Sequence, residues 1–229
     1  VRDFRCIQTE LDFEKVLREI EVSREFGFDL ETTSLNPREA VIVGLAICSV
    51  DSHAYYIPVG HRGTAEVQLP LEWVLSKLKP FLENPLYKKI GQNLKYDMSV
   101  CFRYGIQLDG IGADTMVAAY VLDPEGRHDL KTLAARYLDY DVLSYEEVCG
   151  KGKDQIGFDL VPVDLATRYS AEDAWIAIRL WSELKKRLES DRLMEVFSRV
   201  DLPLVPVLAR MEWAGVAIDE LWLKQLSSE

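Results

Sequence analysis

Cysteine and long apolar runs are scarce in this chain of 229 residues, and each scarcity excludes a class of protein. The longest apolar run, Val41 to Cys48, is interrupted by Gly44 and is far too short to cross a bilayer. We therefore expect no membrane partner. The cysteines, which form no C-x-x-C pair and are spaced by more than forty residues, are Cys6, Cys48, Cys101 and Cys149. This spacing argues against a zinc site or a disulfide framework and favours reduced thiols in the cytoplasm.

Basic residues are also in deficit, with 27 Lys and Arg against 38 Asp and Glu and a formal net charge of −11. Phosphate contacts normally require a basic surface, so this balance argues against a simple nucleic-acid-binding module. The objection weakens if bound metal supplies positive charge locally and the substrate is held mainly at one end. The length allows one large domain, or one domain and part of another.

The hydrophobic pattern predicts strands early in the chain and helices later, which favours an α/β fold with a mixed sheet flanked by helices. Asp164 is predicted to cap the long late helix, and Asp51-Ser52 to form a turn between two strands. Residues 139–163 are expected to be rich in loops. The predicted strands are 4–8, 26–30, 41–50, 54–59 and 88–91, and the predicted helices are 10–25, 71–82, 95–103, 115–122, 130–137, 164–188 and 204–212.

Two carboxylates lie close together on the second predicted strand. Asp29 and Glu31 are two residues apart, so their side chains point to the same face of the sheet. Inside an apolar strand such a pair is costly unless a cation compensates it. The alternative is a strand end at which both acids reach water, and the pair by itself does not decide between them.

Two further motifs carry acids on helices. Tyr169 and Asp173 are four residues apart near the start of the long helix and so face the same way. Asp173 could instead be a surface acid favoured by the helix dipole. Glu172, rotated by about 100° from Asp173, is expected to face solvent. Asp97 follows a predicted strand-to-helix turn, where a lone aspartate is commonplace.

Convergence of all three motifs would place four carboxylates, Asp29, Glu31, Asp97 and Asp173, around one point together with the phenol of Tyr169. Four clustered acids could not all remain ionised without cations, so the arrangement implies divalent metal. Oxygen ligands favour Mg²⁺ or Mn²⁺ and phosphate chemistry. The sequence shows no evident Ser-His or Cys-His pair. The histidines, none of which we expect to be a metal ligand, are His53, His61 and His128.

In their order and spacing, the D-x-E, N-x-x-x-D and Y-x-x-x-D motifs resemble the 3′–5′ proofreading exonuclease domain of bacterial DNA polymerase I, in the family A polymerases. The likeness covers nearly the whole chain: residues 1–190 resemble the exonuclease domain and residues 191–229 the beginning of the polymerase domain. The stretches that carry it are Phe28-Asp29-Leu30-Glu31-Thr32, Gly91-Gln92-Asn93-Leu94-Lys95-Tyr96-Asp97, Gly126-Arg127-His128-Asp129, Gly150-Lys151-Gly152-Lys153, Tyr169-Ser170-Ala171-Glu172-Asp173 and residues 202–212.

The resemblance implies a ribonuclease-H-like fold, two divalent ions (Mg or Mn), and removal of nucleotides from single-stranded DNA 3′ ends as nucleoside monophosphates. It implies that Asp29 bridges the ions, that Glu31 and Asp173 complete one site, and that Asp97 holds the second ion partly through water. Tyr169 would orient the attacking water with help from Glu31.

Substrate contacts are also implied by the resemblance, although each could be ordinary surface or packing. The residues are Thr32, Leu35, Gln92, Asn93, Lys95, Tyr96, Arg127 and Tyr145. Two alternatives stay open at this stage. One is an exonuclease of the ribonuclease D type that trims RNA 3′ ends with the same acids. The other is a catalytically silent scaffold within a polymerase, although no motif carboxylate is missing.

Overall fold

Six strands form one mixed sheet in the computed structural model, which describes residues 3–50 and 53–228. The order across the sheet is β1-β4-β3-β2-β5-β6. Strands β2, β3 and β4 pair antiparallel in a meander, whereas β1 joins β4, β5 joins β2 and β6 joins β5 in parallel. The bounds are β1 (Asp3–Cys6), β2 (Glu25–Thr32), β3 (Ile42–Val50), β4 (His53–Pro58), β5 (Lys88–Gly91) and β6 (Ile111–Asp114).

Helices cover both faces of this sheet. Short 3₁₀ turns follow α6, and a π-helical segment, Phe197–Asp201, joins α8 to α9. The helices of the described part of the chain are α1 (Glu10–Ser23), α2 (Leu71–Leu82), α3 (Leu94–Arg103), α4 (Thr115–Leu122), α5 (Leu130–Leu138), α6 (Tyr145–Cys149), α7 (Val163–Ser190), α8 (Met194–Val196), α9 (Leu202–Ala214) and α10 (Glu220–Leu226).

Alternation along β2 assigns different chemistry to the two faces of the sheet. Phe26, Phe28 and Leu30 are buried in the core formed with α1, α2 and α3. Asp29 and Glu31 point to the opposite face, where α7 packs together with α4 and α5. The period of two in a strand therefore directs both acids toward the long helix.

Gly27 allows α7 to pack tightly against β2. A Cβ atom at this position would lie 2.5 Å from the backbone carbonyl oxygen of Ala174. No side chain other than hydrogen fits so short a distance. Because Ala174 follows Asp173 directly, the close approach at Gly27 also brings the Asp173 carboxylate up to the acids of β2.

The turn between β5 and α3 depends on Asn93, which adopts a left-handed conformation with φ 60° and ψ 45°. Asparagine tolerates this region better than most residues. The buried carboxylate of Asp114 accepts the backbone N–H groups of Asn93 at 3.1 Å and Leu94 at 2.8 Å, and it also caps α4. This network fixes the start of the helix that carries Asp97.

Several sequence expectations about the fold need correction. The strand β6 and the short helix α6 were not predicted, although residues 139–163 are otherwise mostly irregular. Asp164 is not the cap of α7: the helix begins at Val163, and Pro162 occupies the cap position without a side-chain bond. Burial of Val163 in the core accounts for the earlier start. The turn predicted at Asp51-Ser52 lies outside the described residues.

The segment after α7 is attached to the sheet domain only in part. Val205 and Ala209 of α9 are buried in the same core as β2 and α3, whereas α10 is exposed along its whole length. Within residues 3–50 and 53–228, no helix has both the length and the apolar composition needed to cross a membrane.

We predict that Gly27→Ala destabilises the protein by about 1–3 kcal/mol, because the added methyl group would clash with the Ala174 carbonyl and push α7 from the sheet. Urea-induced unfolding measures this free energy. Glu25→Ala in the same strand is the control, since its exposed side chain should change stability by less than about 0.5 kcal/mol. Equal stability of the two variants would contradict the packing argument.

Candidate active site and metal centre

Three of the predicted acids meet where β2 faces α7. One carboxylate oxygen from each of Asp29, Glu31 and Asp173 lies within 4.8 Å of the other two. Glu31 is buried, while Asp29 and Asp173 are partly buried. Asp173 lies 144 and 142 positions after Asp29 and Glu31, so folding joins distant segments into one cluster of anionic oxygens. Within β2, the two acids share a face as the strand periodicity predicts.

The cluster is electrostatically strained in the absence of cations. Burial raises the pKa of Asp29 to about 6. Burial and, in second place, the charge of Asp29 raise the pKa values of Glu31 and Asp173 well above their ordinary range. The charged form of each acid is therefore disfavoured relative to an exposed carboxylate, and a bound cation would stabilise it.

Asp97, the fourth predicted acid, stands beside this trio rather than within it. Its Oδ1 accepts the backbone N–H of Leu30 at 3.0 Å, which places the carboxylate between the two acids of β2 along the chain. Burial, followed by the charge of Asp29, raises the pKa of Asp97 well above its usual value. Asp97 is therefore close enough to the trio for its carboxylate to be affected by the charge of Asp29.

Tyr169 lies one helical turn before Asp173, so the two side chains face the same way from α7. Burial and the charges of the surrounding acids raise the pKa of Tyr169 far above its ordinary value. The phenol is thus neutral and retains its O–H as a donor. Its ring packs against Phe158, with ring centroids 5.8 Å apart, and this contact limits its movement.

The expectation that Glu172 faces solvent is wrong. Glu172 is 3% exposed and accepts hydrogen bonds from the hydroxyl of Tyr140 and from the backbone N–H of Leu143, the latter at 2.9 Å. The central part of α7 is buried on nearly all sides, so a rotation of about 100° from Asp173 leads to the 139–143 segment instead of to water. Glu172 anchors that segment to the helix.

A pocket of about 410 Å³ opens beside the acids and contains several predicted substrate residues. Thr32 and Tyr96 are hydrogen-bonded to each other at its base, and the Tyr96 hydroxyl also donates to the carbonyl of Ser34 at 2.5 Å. Leu35 lines the pocket with 95% exposure, and Tyr145 lines it as well. A lining with one exposed leucine and two tyrosines is suited to contact with nucleotide bases.

The other predicted substrate residues lie outside the pocket lining. Gln92 is occupied internally: its amide donates to the His128 carbonyl at 2.7 Å, and its oxygen accepts from Thr115 at 2.5 Å. Lys95 pairs with Glu212 of α9 at 2.6 Å. Asn93 forms the left-handed turn before α3, and Arg127 is largely exposed and paired with Asp129.

Three residues of this region were missed from the sequence. Ser170 donates a hydrogen bond to Glu31 at 2.7 Å, Gln155 lines the pocket, and Asp114 holds the turn before α3. Asp114 carried a recognisable signal, because an aspartate directly before a helix is a favoured cap. Ser170 and Gln155 carried none, since each acts on a residue distant in the chain.

The donor set fits a hard divalent cation. The converging atoms are carboxylate oxygens, which Mg²⁺ and Mn²⁺ prefer over the nitrogen and sulfur ligands of zinc. His61 is bonded instead to the Tyr56 hydroxyl at 2.7 Å and to the Val161 carbonyl at 3.0 Å.

Comparison with known proteins gives a family and a set of relatives. The family described as 3′–5′ exonuclease matches residues 4–189. DNA polymerase I of Rhizobium leguminosarum is 40% identical over 222 residues, which cover 89% of this chain and 22% of the relative. DNA polymerase I of Pseudomonas aeruginosa is 38% identical over 223 residues, which cover 95% of this chain and 24% of the relative. The chain thus spans under a quarter of the length of each.

Solved structures show the same fold. The POL domain of Pol1 from M. smegmatis, in complex with DNA primer-template and dNTP, aligns with a TM-score of 0.76 and 24% identity over 100% of this chain and 34% of that one. Brucella melitensis NrnC with bound Mg²⁺ aligns with a TM-score of 0.64 and 20% identity over 95% of both chains. The mixed sheet flanked by helices and its ribonuclease-H-like class are confirmed.

We predict that ionisation of Asp29 destabilises the metal-free protein. Between the ordinary carboxyl pKa of 3.8 and the folded-state value of about 6, the folded protein binds more protons than the unfolded chain, so stability falls as pH rises through this window. The melting temperature of the metal-free chain should therefore fall by a few degrees between about pH 4 and about pH 7, relative to the change in Asp29→Asn, which cannot ionise at position 29.

Added Mn²⁺ should remove this loss at the higher pH in the wild-type chain and have a smaller effect on Asp29→Asn. A stability difference between the two proteins that does not change with pH would show that Asp29 is not ionising within a repulsive cluster.

Proposed function

Because the chain belongs to the 3′–5′ exonuclease family found in DNA polymerase I, we propose that it hydrolyses nucleotides from single-stranded or frayed DNA 3′ ends in a metal-dependent reaction. The observation that carries this proposal is the convergence of Asp29, Glu31 and Asp173 within 4.8 Å on the face of the sheet covered by α7. Asp97 and the neutral phenol of Tyr169 complete the set.

Two divalent ions, Mg or Mn, are proposed as the cofactors of this site. Asp29, Glu31 and Asp173 would hold one ion, and Asp97 together with Asp29 would hold the other. When bound, such ions supply the positive charge that stabilises the entering and leaving oxygens of an in-line displacement at phosphorus. The likeness to a nuclease that binds Mg²⁺ is consistent with this assignment.

The protein's own groups position the reactants. The Tyr169 O–H, kept neutral by its raised pKa, would hydrogen-bond and orient the attacking water with help from Glu31. Water loses a proton to the solvent as it attacks phosphorus, and the bond to the 3′ oxygen of the preceding nucleotide breaks. That oxygen takes up a proton from the solvent, and a nucleoside monophosphate is released. The chain itself then forms no covalent intermediate.

We propose that the terminal nucleotide enters the pocket next to Glu31. Leu35, 95% exposed on its rim, is placed to wedge against the last bases, and Tyr145 offers a ring for stacking that tolerates any base. Thr32 and Tyr96 form the polar base of this pocket. Contacts from Asn93, Lys95 and Arg127 to the strand remain part of the proposal, whereas the internal bonds of Gln92 argue for a structural role.

The wider setting is proposed from the relatives. Residues 191–229 would begin the polymerase domain, and the rest of a polymerase would follow in the same chain, in keeping with relatives several times longer than this sequence. The exposed α10 is consistent with this proposal. A cytoplasmic location is proposed from the buried thiols of Cys101 and Cys149.

Trimming of RNA 3′ ends is the second candidate, favoured by the structural likeness to NrnC and ribonuclease D. The sequence relatives at 38–40% identity, both DNA polymerase I, favour DNA instead. Digestion of matched DNA and RNA oligonucleotides separates the two: faster removal of deoxynucleotides supports the proposal, and faster trimming of RNA favours the second candidate.

Asp29→Ala is predicted to abolish nuclease activity without unfolding the domain. Asp29 touches both proposed ion positions, and its removal relieves repulsion within the cluster, so thermal stability should be unchanged or higher. Release of labelled nucleotide from a single-stranded DNA 3′ end, followed with Mn²⁺ present, measures the loss.

The matched control is Asp141→Ala, whose side chain is 88% exposed and belongs to a surface pair with Lys131. This variant should retain wild-type activity. Full activity of Asp29→Ala would remove the central ligand from the proposed mechanism, and equal loss in both variants would point to a general effect on folding.

Tyr169→Phe is predicted to lower kcat by about 10²–10³-fold while changing affinity for DNA by a few-fold at most. The substitution removes only the hydroxyl that orients water and leaves the ring contact with Phe158 in place. Single-turnover rates and equilibrium binding to an oligonucleotide, measured in parallel, separate the two effects. Equal losses in rate and affinity would contradict a role in positioning water.

A further inference from the structure

Ser170 is fully buried in α7, immediately after Tyr169, and its hydroxyl does not bond back to its own helix. It donates instead to Oε1 of Glu31 at 2.7 Å, across 139 positions of the chain. Buried serines in helices commonly bond the carbonyl four residues earlier, as Ser99 does with Lys95 at 2.9 Å. The hydroxyl of Ser170 is therefore directed at a functional group.

The bond constrains one specific carboxylate. Glu31 has the longest and most flexible side chain of the trio, and a glutamate on a strand has several rotamers available. Among the hydrogen bonds of the described residues, the one from Ser170 fixes a single oxygen of Glu31. The hydroxyl thereby restricts the rotation of the carboxylate that supplies one of the clustered oxygens.

We propose that Ser170 is a positioning residue that holds Glu31 in the orientation required to bind a divalent cation. This inference rests on the proposed function. The inference adds to that function by assigning the orientation of one metal ligand, Glu31, to an uncharged side chain that is not one of the acids of the motifs. Groups that hydrogen-bond a metal ligand commonly change metal affinity by about 10–100-fold when removed.

The test is binding of Mn²⁺ alone to the 229-residue chain without DNA, followed by electron paramagnetic resonance of the free ion. Ser170→Ala should weaken Mn²⁺ binding by about tenfold. It should leave the unfolded fraction unchanged, since alanine fits the same volume and is a better helix former. Thr167→Val is the control in the same helix: it removes another buried hydroxyl, one that bonds the Val163 carbonyl at 2.6 Å. Its Mn²⁺ affinity should match that of the wild type.

A double-mutant cycle with Glu31→Gln decides whether Ser170 acts through Glu31. In the Glu31→Gln background, Ser170→Ala should change the Mn²⁺ affinity by less than about twofold, because the ligand that it orients is already lost. A tenfold loss in both backgrounds would overturn the inference, as would wild-type affinity in Ser170→Ala.

The outcomes also separate this inference from the proposed function. If wild-type protein binds Mn²⁺ and Asp29→Ala does not, the metal centre stands, and an unchanged Ser170→Ala overturns the positioning role alone. If the wild-type chain binds no Mn²⁺, both fail together.

Discussion

Repulsion among carboxylates held partly out of water is the constraint on which this site depends. Folding brings Asp29, Glu31 and Asp173 within 4.8 Å, and burial raises the pKa of each. The cluster makes an unfavourable contribution to the stability of the metal-free fold, because removal of one carboxylate would lower the repulsion on the other two. The packing that brings the acids together is itself tight, because α7 can approach β2 so closely only where Gly27 has no side chain.

Much of the fold could be predicted because local pattern and tertiary structure agree. Helix α2 and strand β5 begin and end at the predicted residues, and α1 differs only at its end. Strand β6 (Ile111–Asp114) escaped prediction because its sequence contains an interior glycine and ends in aspartate, both of which are depleted in strands, and its pairing with β5 supplies the order that the sequence does not indicate. The start of α7 moved because burial of Val163 outweighed the capping preference of Asp164.

The site shows the same division between local and distant information. Strand and helix periodicities correctly placed Asp29 with Glu31 and Tyr169 with Asp173, since each pair is set by one element. Glu172 was misassigned because helical periodicity gives the direction of a side chain around the helix axis but not whether that side faces solvent. On the side of Glu172, α7 is covered by the 139–143 segment. Contacts between distant segments depend on how the elements pack together, and the spacing of residues in the sequence does not predict them.

Charge links the site to the substrate. The two positive side chains expected to contact the substrate are already compensated: Lys95 pairs with Glu212 at 2.6 Å, and Arg127 with Asp129 at 3.2 Å. With a net charge of −11, the surface as a whole repels a polyanion. Under the proposed function, attraction for phosphate would then arise where the acids hold cations. The same carboxylates that would repel DNA when bare would become its anchor once divalent ions are bound, which confines binding to the one end of the strand that can reach them.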